Sequence, residues 1–183
     1  MRILYVILAL VCVLNSSLAF SQKLSVCYQA NCLEEINFTV SEGTHRKINT
    51  FFLLITSAIE EREAIRHAVR SLYLEAAKHS PIASDRGGNF KDYSVKGRMD
   101  CVDHSRNSTK FITYIQQQGW LNYHKVGEIV WRNPLLINLH YASQIIEINT
   151  LRSWVVDTWF LDFGELATVV PYDKWKDGYS PQS

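Results

Sequence analysis

One of the four cysteines, Cys101, begins a polar segment that is suited to thiol chemistry. A loop containing Gly97 leads into it, and the residues after it are polar for about two helical turns. The stretch from Phe111 to Ile115 is then apolar at helical spacing, so the sequence predicts a helix that begins near Cys101. A helix N-terminus carries partial positive charge, which favours a thiolate and lowers the pKa of a cysteine there. This segment alone supports two interpretations equally, an activated cysteine or a buried, inert one behind a capped helix start.

Three polar neighbours of Cys101 have more than one possible role. Asp100 suits the N-cap position of the predicted helix, because an aspartate there accepts hydrogen bonds from free N–H groups. Asp100 and Asp103 could instead orient a loop or bind a cation such as calcium. His104 is about one helical turn after Cys101 and could contact the thiol locally. Capping is the default interpretation for Asp100, and the roles of Asp103 and His104 stay open.

A cysteine nucleophile needs a base, and the base needs a partner that orients it. His140 begins one predicted strand and Asp157 lies near the end of the next, with a predicted hairpin turn at Asn149-Thr150 between them. That turn places Asp157 opposite Ala142, which shares a strand face with His140. The His140 and Asp157 Cα atoms are then diagonal neighbours about 7–8 Å apart. A turn shifted one residue earlier would put them directly opposite, so both registers allow the carboxylate to hold the imidazole.

Other histidines are alternative candidates for the base, and three aromatic residues lie close to Asp157 in the chain. The histidines at 45, 67 and 79 lie on or beside predicted helices without an acid to orient them, and His124 lies in a loop. Trp154, Trp159 and Phe160 flank Asp157 and could shield the pair from water. They could equally be ordinary core residues of a sheet.

The N-terminus predicts a signal peptide over residues 1–19. Arg2 supplies a positive start, an apolar run extends from Ile3 to Leu14, and Ser17-Leu18-Ala19 provides small residues for cleavage. The apolar run is too short to span a bilayer. Residues 20–183 then form a single domain, expected to be periplasmic or secreted, without a membrane anchor after cleavage.

Composition narrows the function further. The chain has 183 residues, 47% of them hydrophobic, which is enough for a real core. It has 19 Lys+Arg and 18 Asp+Glu, and Arg2 is lost with the predicted signal peptide. The balanced charge argues against a nucleic-acid or anionic-membrane partner.

Cysteine counting singles out Cys101. Cys12 falls within the predicted signal peptide, and Cys27 and Cys32 lie close enough in the chain to close a small disulfide in an oxidising compartment. Cys101 is then left over, which in an exported protein means a functional thiol or pairing with another chain. The functional thiol is the preferred interpretation. No metal site or cofactor is predicted, because Cys27 and Cys32 lack a second Cys or His pair at metal-binding spacing.

The order of predicted elements indicates an α+β fold, with N-terminal helices packed on an antiparallel sheet. A strand is predicted at Glu35–Val40, and helices at Arg46–Leu54, capped by Ser41 or Thr44, and at Ala58–Lys78. After the cysteine helix come strands at Lys125–Trp131, Leu139–Ile148, Ser153–Phe160 and Leu166–Val170, followed by an irregular tail. The two glycines at 87 and 88 favour a tight turn over a close backbone approach to a ligand.

These motifs together resemble the transglutaminase-like superfamily. The resemblance is carried by Asp100-Cys101-x-Asp103-His104, by a strand that opens with His140 and Ala142, and by Trp154-Val155-Val156-Asp157. It is closest to bacterial transglutaminase-like cysteine proteinases and a related proteobacterial group.

The resemblance implies a papain-like fold in which Cys101 is the nucleophile, His140 the general base and acid, and Asp157 the orienting residue. It implies a thiol enzyme acting on an amide of a protein or peptide substrate, with hydrolysis favoured over cross-linking. A second hypothesis is a catalytically inactive module of the same fold that binds an envelope protein or peptide. A third, weaker one pairs Cys101 with a cysteine of another chain.

Overall fold

The chain forms an N-terminal β-hairpin, a group of helices, and a four-stranded sheet. A computed structural model describes residues 22–89, 92–133 and 139–181, so the predicted signal peptide at 1–19 lies outside the described residues. The elements are β1 Lys23–Tyr28, β2 Glu34–Thr39, α1 Glu42–Phe52, α2 Ala58–Ala76, a 3-10 turn Pro81–Ser84, α3 Cys101–Gln117, β3 His124–Arg132, β4 His140–Glu147, β5 Ser153–Asp157, β6 Thr168–Pro171 and α4 Tyr172–Lys176.

Both sheets are antiparallel, which confirms the predicted α+β class. β1 pairs with β2, and β3 to β6 pair in chain order. Helix α3 packs against β1 and also against β3 and β4, so one helix joins the two sheets. The main core includes the fully buried Ile65 of α2, Phe111 of α3 and Ile145 of β4. Of the helices described, none has the length and apolar character that a bilayer crossing requires.

The β4–β5 hairpin has the predicted register, although its loop is longer than predicted. Ser143 pairs with Val156, and the connection occupies residues 148–152 instead of a two-residue turn. The strand pairs are still centred between Asn149 and Thr150, as in the predicted turn, so the pairing is unchanged. One step further along the strands, Asp157 falls beside Ala142.

Several element boundaries differ from the predictions. The N-terminal segment forms two strands instead of one, and β5 ends at Asp157, so Trp159 and Phe160 lie in the following loop. The tail predicted to be irregular begins with α4, whose Trp175 is fully buried against Val155 and its neighbours. A five-residue helix is too short to show helical periodicity in the sequence, so the pattern of residues could not predict it.

Glycine is required at two positions where a loop approaches another segment of the backbone closely. A Cβ on Gly87 would lie 2.5 Å from the carbonyl oxygen of Phe160, so the turn here also packs tightly against another segment of the protein's own backbone. Gly97 has a φ of +94°, and a Cβ there would overlap the carbonyl oxygen of Pro81. Any other residue would push these segments apart.

Acid unfolding should depend on Glu75, a buried carboxylate near the end of α2. Burial alone would raise its pKa, but hydrogen bonds from Lys78, Thr44 and Ser41 outweigh burial and lower the pKa from 4.5 to about 2. Its ionisation therefore stabilises the native state above pH 4.5, and this contribution is lost as the pH falls towards 2. We expect Glu75→Gln to cost about 1–3 kcal/mol at pH 7 and to flatten the pH dependence of urea unfolding in acid. The matched change on an exposed residue, Glu42→Gln, should alter neither the free energy of unfolding at pH 7 nor its dependence on pH in acid. An unaltered acid profile in E75Q would contradict the lowered pKa of Glu75.

Candidate active site

The first turn of α3 holds Cys101 in a fixed position. Asp100 is the N-cap, and its carboxylate accepts hydrogen bonds from the N–H groups of Val102 and Asp103, both at 3.0 Å. The Asp103 carboxylate accepts the N–H of Asp100 at 3.1 Å in return. This reciprocal pattern is a capping box, so the default interpretation of Asp100 is confirmed.

The predicted disulfide between Cys27 and Cys32 is present, and the loop that it closes lies against the same helix start. The N–H of Asn31 donates to Asp100 at 3.0 Å, and the N–H of Cys32 donates to Asp103 at 2.6 Å. Each of the four carboxylate oxygens therefore accepts a backbone N–H group. The two aspartates act as caps, and this hydrogen bonding competes with the calcium role that the sequence left open.

The Cys101 thiol is free and buried, with 7% of the residue exposed. Its Sγ lies 4.0 Å from the carbonyl oxygen of Leu139 and also receives the backbone N–H of Tyr141. The sulfur therefore lies against the main chain on both sides of His140. Burial raises the pKa of Cys101 to about 11, which outweighs the N–H of Tyr141. The low pKa predicted from the helix N-terminus is wrong, because the buried sulfur has lost the solvation that a thiolate needs.

His140 and Asp157 form a buried, hydrogen-bonded pair. The Nε2 atom of His140 lies 2.6 Å from Oδ2 of Asp157, and the two residues are 3% and 2% exposed. The Nδ1 atom of His140 is buried and has no hydrogen-bond partner within the described chain. When Nε2 carries the proton that it donates to Asp157, the neutral ring leaves Nδ1 as a proton acceptor. The pair is thus arranged to take up a proton at Nδ1.

Two further donors hold the Asp157 carboxylate. The indole Nε1 of Trp175 donates to Oδ2 at 2.9 Å, and the backbone N–H of Trp159 donates to Oδ1 at 3.1 Å. With His140, they fix the orientation of the carboxylate. Trp175 comes from α4, so it is a site residue that the sequence did not predict, and its only signal was an aromatic residue in a polar tail.

Aromatic rings enclose the imidazole of His140. Ring centroids lie 4.6 Å away for Trp159, 5.3 Å for Phe160 and 5.6 Å for Trp175. These rings exclude water from the pair, so the shielding interpretation fits Trp159 and Phe160. Trp154 packs instead against the main core.

Arg132 places a buried positive charge next to the pair. It lies opposite His140 in the β3–β4 ladder, and its guanidinium carbon lies 4.8 Å from the ring centroid of Trp175 and 5.7 Å from that of Phe160. Burial lowers the pKa of Arg132, and the charge of Asp157 raises it in part. Arg132 therefore offsets the charge of the buried carboxylate, a role that no pattern in the sequence indicated.

His104 contacts Asp85 and Thr158 instead of the thiol. Its Nε2 lies 3.0 Å from Oδ2 of Asp85, and its Nδ1 lies 2.9 Å from Oγ1 of Thr158. Burial alone would lower the pKa of His104, but Asp85 raises it overall. This second buried network borders a small cleft that is also lined by Arg70 and Glu165. The local contact with Cys101 that the sequence allowed is not made.

The remaining histidines have their contacts elsewhere, with Tyr114 for His45, Phe51 for His67, Phe38 for His79 and Glu61 for His124. One group in the described chain brings three potential metal-ligand atoms together, those of Cys27, Cys32 and Glu35. Its two sulfurs are bonded to each other, so they are not free to bind a metal in this oxidation state.

Comparisons with known proteins identify no relative of this chain. No model of a known protein family matches the chain, and no curated protein or solved structure matches it significantly. The function therefore has to be argued from the chemistry of the site.

Proposed function

We propose that the protein is an exported thiol enzyme with a papain-like, transglutaminase-like fold that cleaves or transfers an amide acyl group of a protein or peptide. Cys101 is the nucleophile, His140 the general base and acid, and Asp157 the orienting residue. The observation that carries the proposal is the environment of His140. Asp157 holds its Nε2 atom, while Nδ1 is buried beside the main-chain segment that the Cys101 sulfur contacts and has no partner among the residues that the structure describes.

In the proposed reaction, the sulfur of Cys101 attacks the carbonyl carbon of the amide while the thiol proton passes to Nδ1 of His140. Because the pKa of Cys101 is about 11, the proton leaves during the attack and not beforehand. Asp157 stabilises the imidazolium that forms. The backbone N–H of Cys101, at the helix N-terminus, is a donor for the oxyanion.

The second half of the reaction returns the proton. The imidazolium of His140 protonates the leaving amine, which breaks the amide bond and leaves an acyl-thioester on Cys101. His140 then removes a proton from water, or from an acceptor amine, as that molecule attacks the thioester. Hydrolysis is the preferred outcome on the family resemblance alone.

A catalytically inactive binding module is the second candidate. One observation favours it, because the Cys101 thiol is buried, its pKa is raised, and its sulfur is not hydrogen-bonded to His140. Thiol enzymes usually keep the nucleophile accessible and its pKa depressed. Such a module would hold an envelope protein or peptide in the former catalytic cleft.

Trapping of an acyl adduct separates the two candidates. The protein is incubated with p-nitrophenyl acetate or a peptide library, quenched in acid, digested, and analysed by mass spectrometry. The proposal predicts an acyl group on the peptide that contains Cys101, its absence in Cys101→Ala, and its retention in the adjacent control Val102→Ala. A folded wild-type protein that forms no adduct would support the binding module, as would a cellular phenotype that survives C101A. Non-reducing electrophoresis that shows only monomer would remove pairing of Cys101 with another chain.

A further inference from the structure

The loop closed by the Cys27–Cys32 disulfide has an unusual backbone. Gln29, Ala30, Asn31 and Cys32 have φ values of 70°, 51°, 55° and 58°. None of these residues is glycine, and residues with a side chain avoid the left-handed region because Cβ crowds the carbonyl oxygen. Single residues adopt this conformation at turns, but four in succession are strained. A covalent closure across the loop holds such a turn in place.

This left-handed turn is attached to α3 on both sides of Cys101. Beyond the bonds from Asn31 and Cys32 to the two capping carboxylates, the Asn107 side chain accepts the N–H of Cys27 at 2.7 Å. The same side chain donates to the carbonyl oxygen of Cys27 at 2.8 Å. The N–H of Gln29 donates to the carbonyl oxygen of Arg98 at 2.7 Å. The disulfide loop and the nucleophile turn therefore form one hydrogen-bonded unit.

The two sulfurs of the disulfide differ in environment. Cys27 is 1% exposed, whereas Cys32 is partly exposed. The Nζ atom of Lys110 lies 3.7 Å from Sγ of Cys27. An ammonium group stabilises a thiolate, so Cys27 is the better leaving group. An incoming thiolate is thus directed to Cys32.

We propose that the Cys27–Cys32 disulfide is a redox-responsive clamp on the N-terminal turn of α3 and that it controls access to Cys101. The reductant is a dithiol. One of its thiolates attacks Sγ of Cys32, the bond between Cys32 and Cys27 breaks, and Cys27 leaves as a thiolate beside Lys110. The second thiol of the reductant then attacks the mixed disulfide, which releases Cys32 and leaves the reductant oxidised to its own disulfide. The two cysteine sulfurs end as thiols, with the two protons that the dithiol gave up.

Reduction removes the closure that holds the left-handed turn. The residues relax to ordinary negative φ values, and the N–H groups of Asn31 and Cys32 leave the carboxylates of Asp100 and Asp103. The first turn of α3 then opens more readily, and Cys101 becomes more exposed. The clamp regulates the proposed site and rests on the proposed function only for the role of Cys101, since access to the thiol can be measured in an inactive protein.

The test is the rate at which iodoacetamide alkylates Cys101 at pH 8, followed peptide by peptide with mass spectrometry in the full chain. Oxidised protein is compared with protein reduced by dithiothreitol and freed of reductant without air, and with the double variant Cys27→Ser/Cys32→Ser. We expect reduction and the double variant to speed alkylation by at least about tenfold. Lys23→Ala, a change at an exposed residue on the same strand as Cys27 that leaves the disulfide intact, should keep the slow oxidised rate and the full response to reduction.

Amide hydrogen exchange provides a second measurement if the double variant does not fold. Residues 99–107 of the wild-type protein should exchange faster after reduction, while residues 153–157 of β5 should not change. The clamp would be overturned if reduction changed both rates by less than about twofold, the alkylation rate of Cys101 and the hydrogen-exchange rate of residues 99–107. If access to Cys101 depends on redox state but no acyl adduct forms in either state, the clamp stands and the enzyme is removed. If an adduct forms but access does not depend on redox state, the clamp alone is removed.

Discussion

Replacing His140 by asparagine should slow formation of the acyl adduct at Cys101 by about 10²–10⁴-fold. The reason is the raised pKa of the thiol, about 11, at which roughly one cysteine in ten thousand is a thiolate at pH 7. Without a base at Nδ1, only that rare thiolate can attack. The measurement is the rate of adduct formation on a p-nitrophenyl ester, with His79→Asn, on an exposed histidine, as the matched control.

The pH profile gives this prediction a second readout. In the wild type, the rate should not follow the thiolate population, because the imidazole of His140 removes the thiol proton during the attack. In His140→Asn, the rate should instead rise about tenfold per pH unit up to pH 11, following the thiolate. If His140→Asn slowed adduct formation by less than threefold, or if both proteins had the same pH–rate profile, Cys101 would not use His140 as its base.

The largest effect on stability is expected at Glu61, a fully buried carboxylate in α2. It accepts the backbone N–H groups of Asn122, Tyr123 and His124 at distances between 2.6 and 3.1 Å, and the Nδ1 atom of His124 lies 2.9 Å from it. Glu61→Ala would leave the backbone N–H and the ring of the buried His124 without this acceptor, and it would remove the acceptor of the N–H groups of Asn122 and Tyr123. We expect a loss of about 3–5 kcal/mol in the free energy of unfolding. That corresponds to a fall of roughly 10 °C in Tm for a chain of this size.

Urea unfolding at pH 7 checks this value. The control is Glu63→Ala, which removes a partly exposed carboxylate from the same helix together with its ion pair to Arg66. Such surface pairs contribute at most about 1 kcal/mol. A loss at Glu61 no larger than the loss at Glu63 would mean that water or a neighbouring group satisfies the donors.

The parts of the site that could be predicted from sequence depend on neighbours along the chain. An aspartate before a helical pattern is enough to place the N-cap at Asp100, because capping involves only the next few residues. The β4–β5 register follows from the hairpin centre, and it brings Asp157 within reach of His140. Cysteine spacing predicted the pairing of Cys27 with Cys32, since a short separation needs only a local turn.

Contacts between distant segments could not be predicted in this way. Trp175 reaches Asp157 from a helix too short to show periodicity, and His104 turns to Asp85 instead of the thiol one turn away. The pKa of Cys101 is the clearest case. The sequence correctly placed the thiol at a helix N-terminus, but its burial depends on β4, which comes much later in the chain.

By itself, therefore, the sequence determined the α+β class, the capped start of α3, the centre of the β4–β5 hairpin to within one residue, and the disulfide. Each of these follows from hydrogen bonding and side-chain patterns that operate within one element or one turn. Only the tertiary structure decided how deeply the thiol is buried, which nitrogen of His140 stays free, and how the left-handed turn is fastened to α3. Those features depend on desolvation and on packing between segments far apart in the chain, which no local pattern of residues encodes.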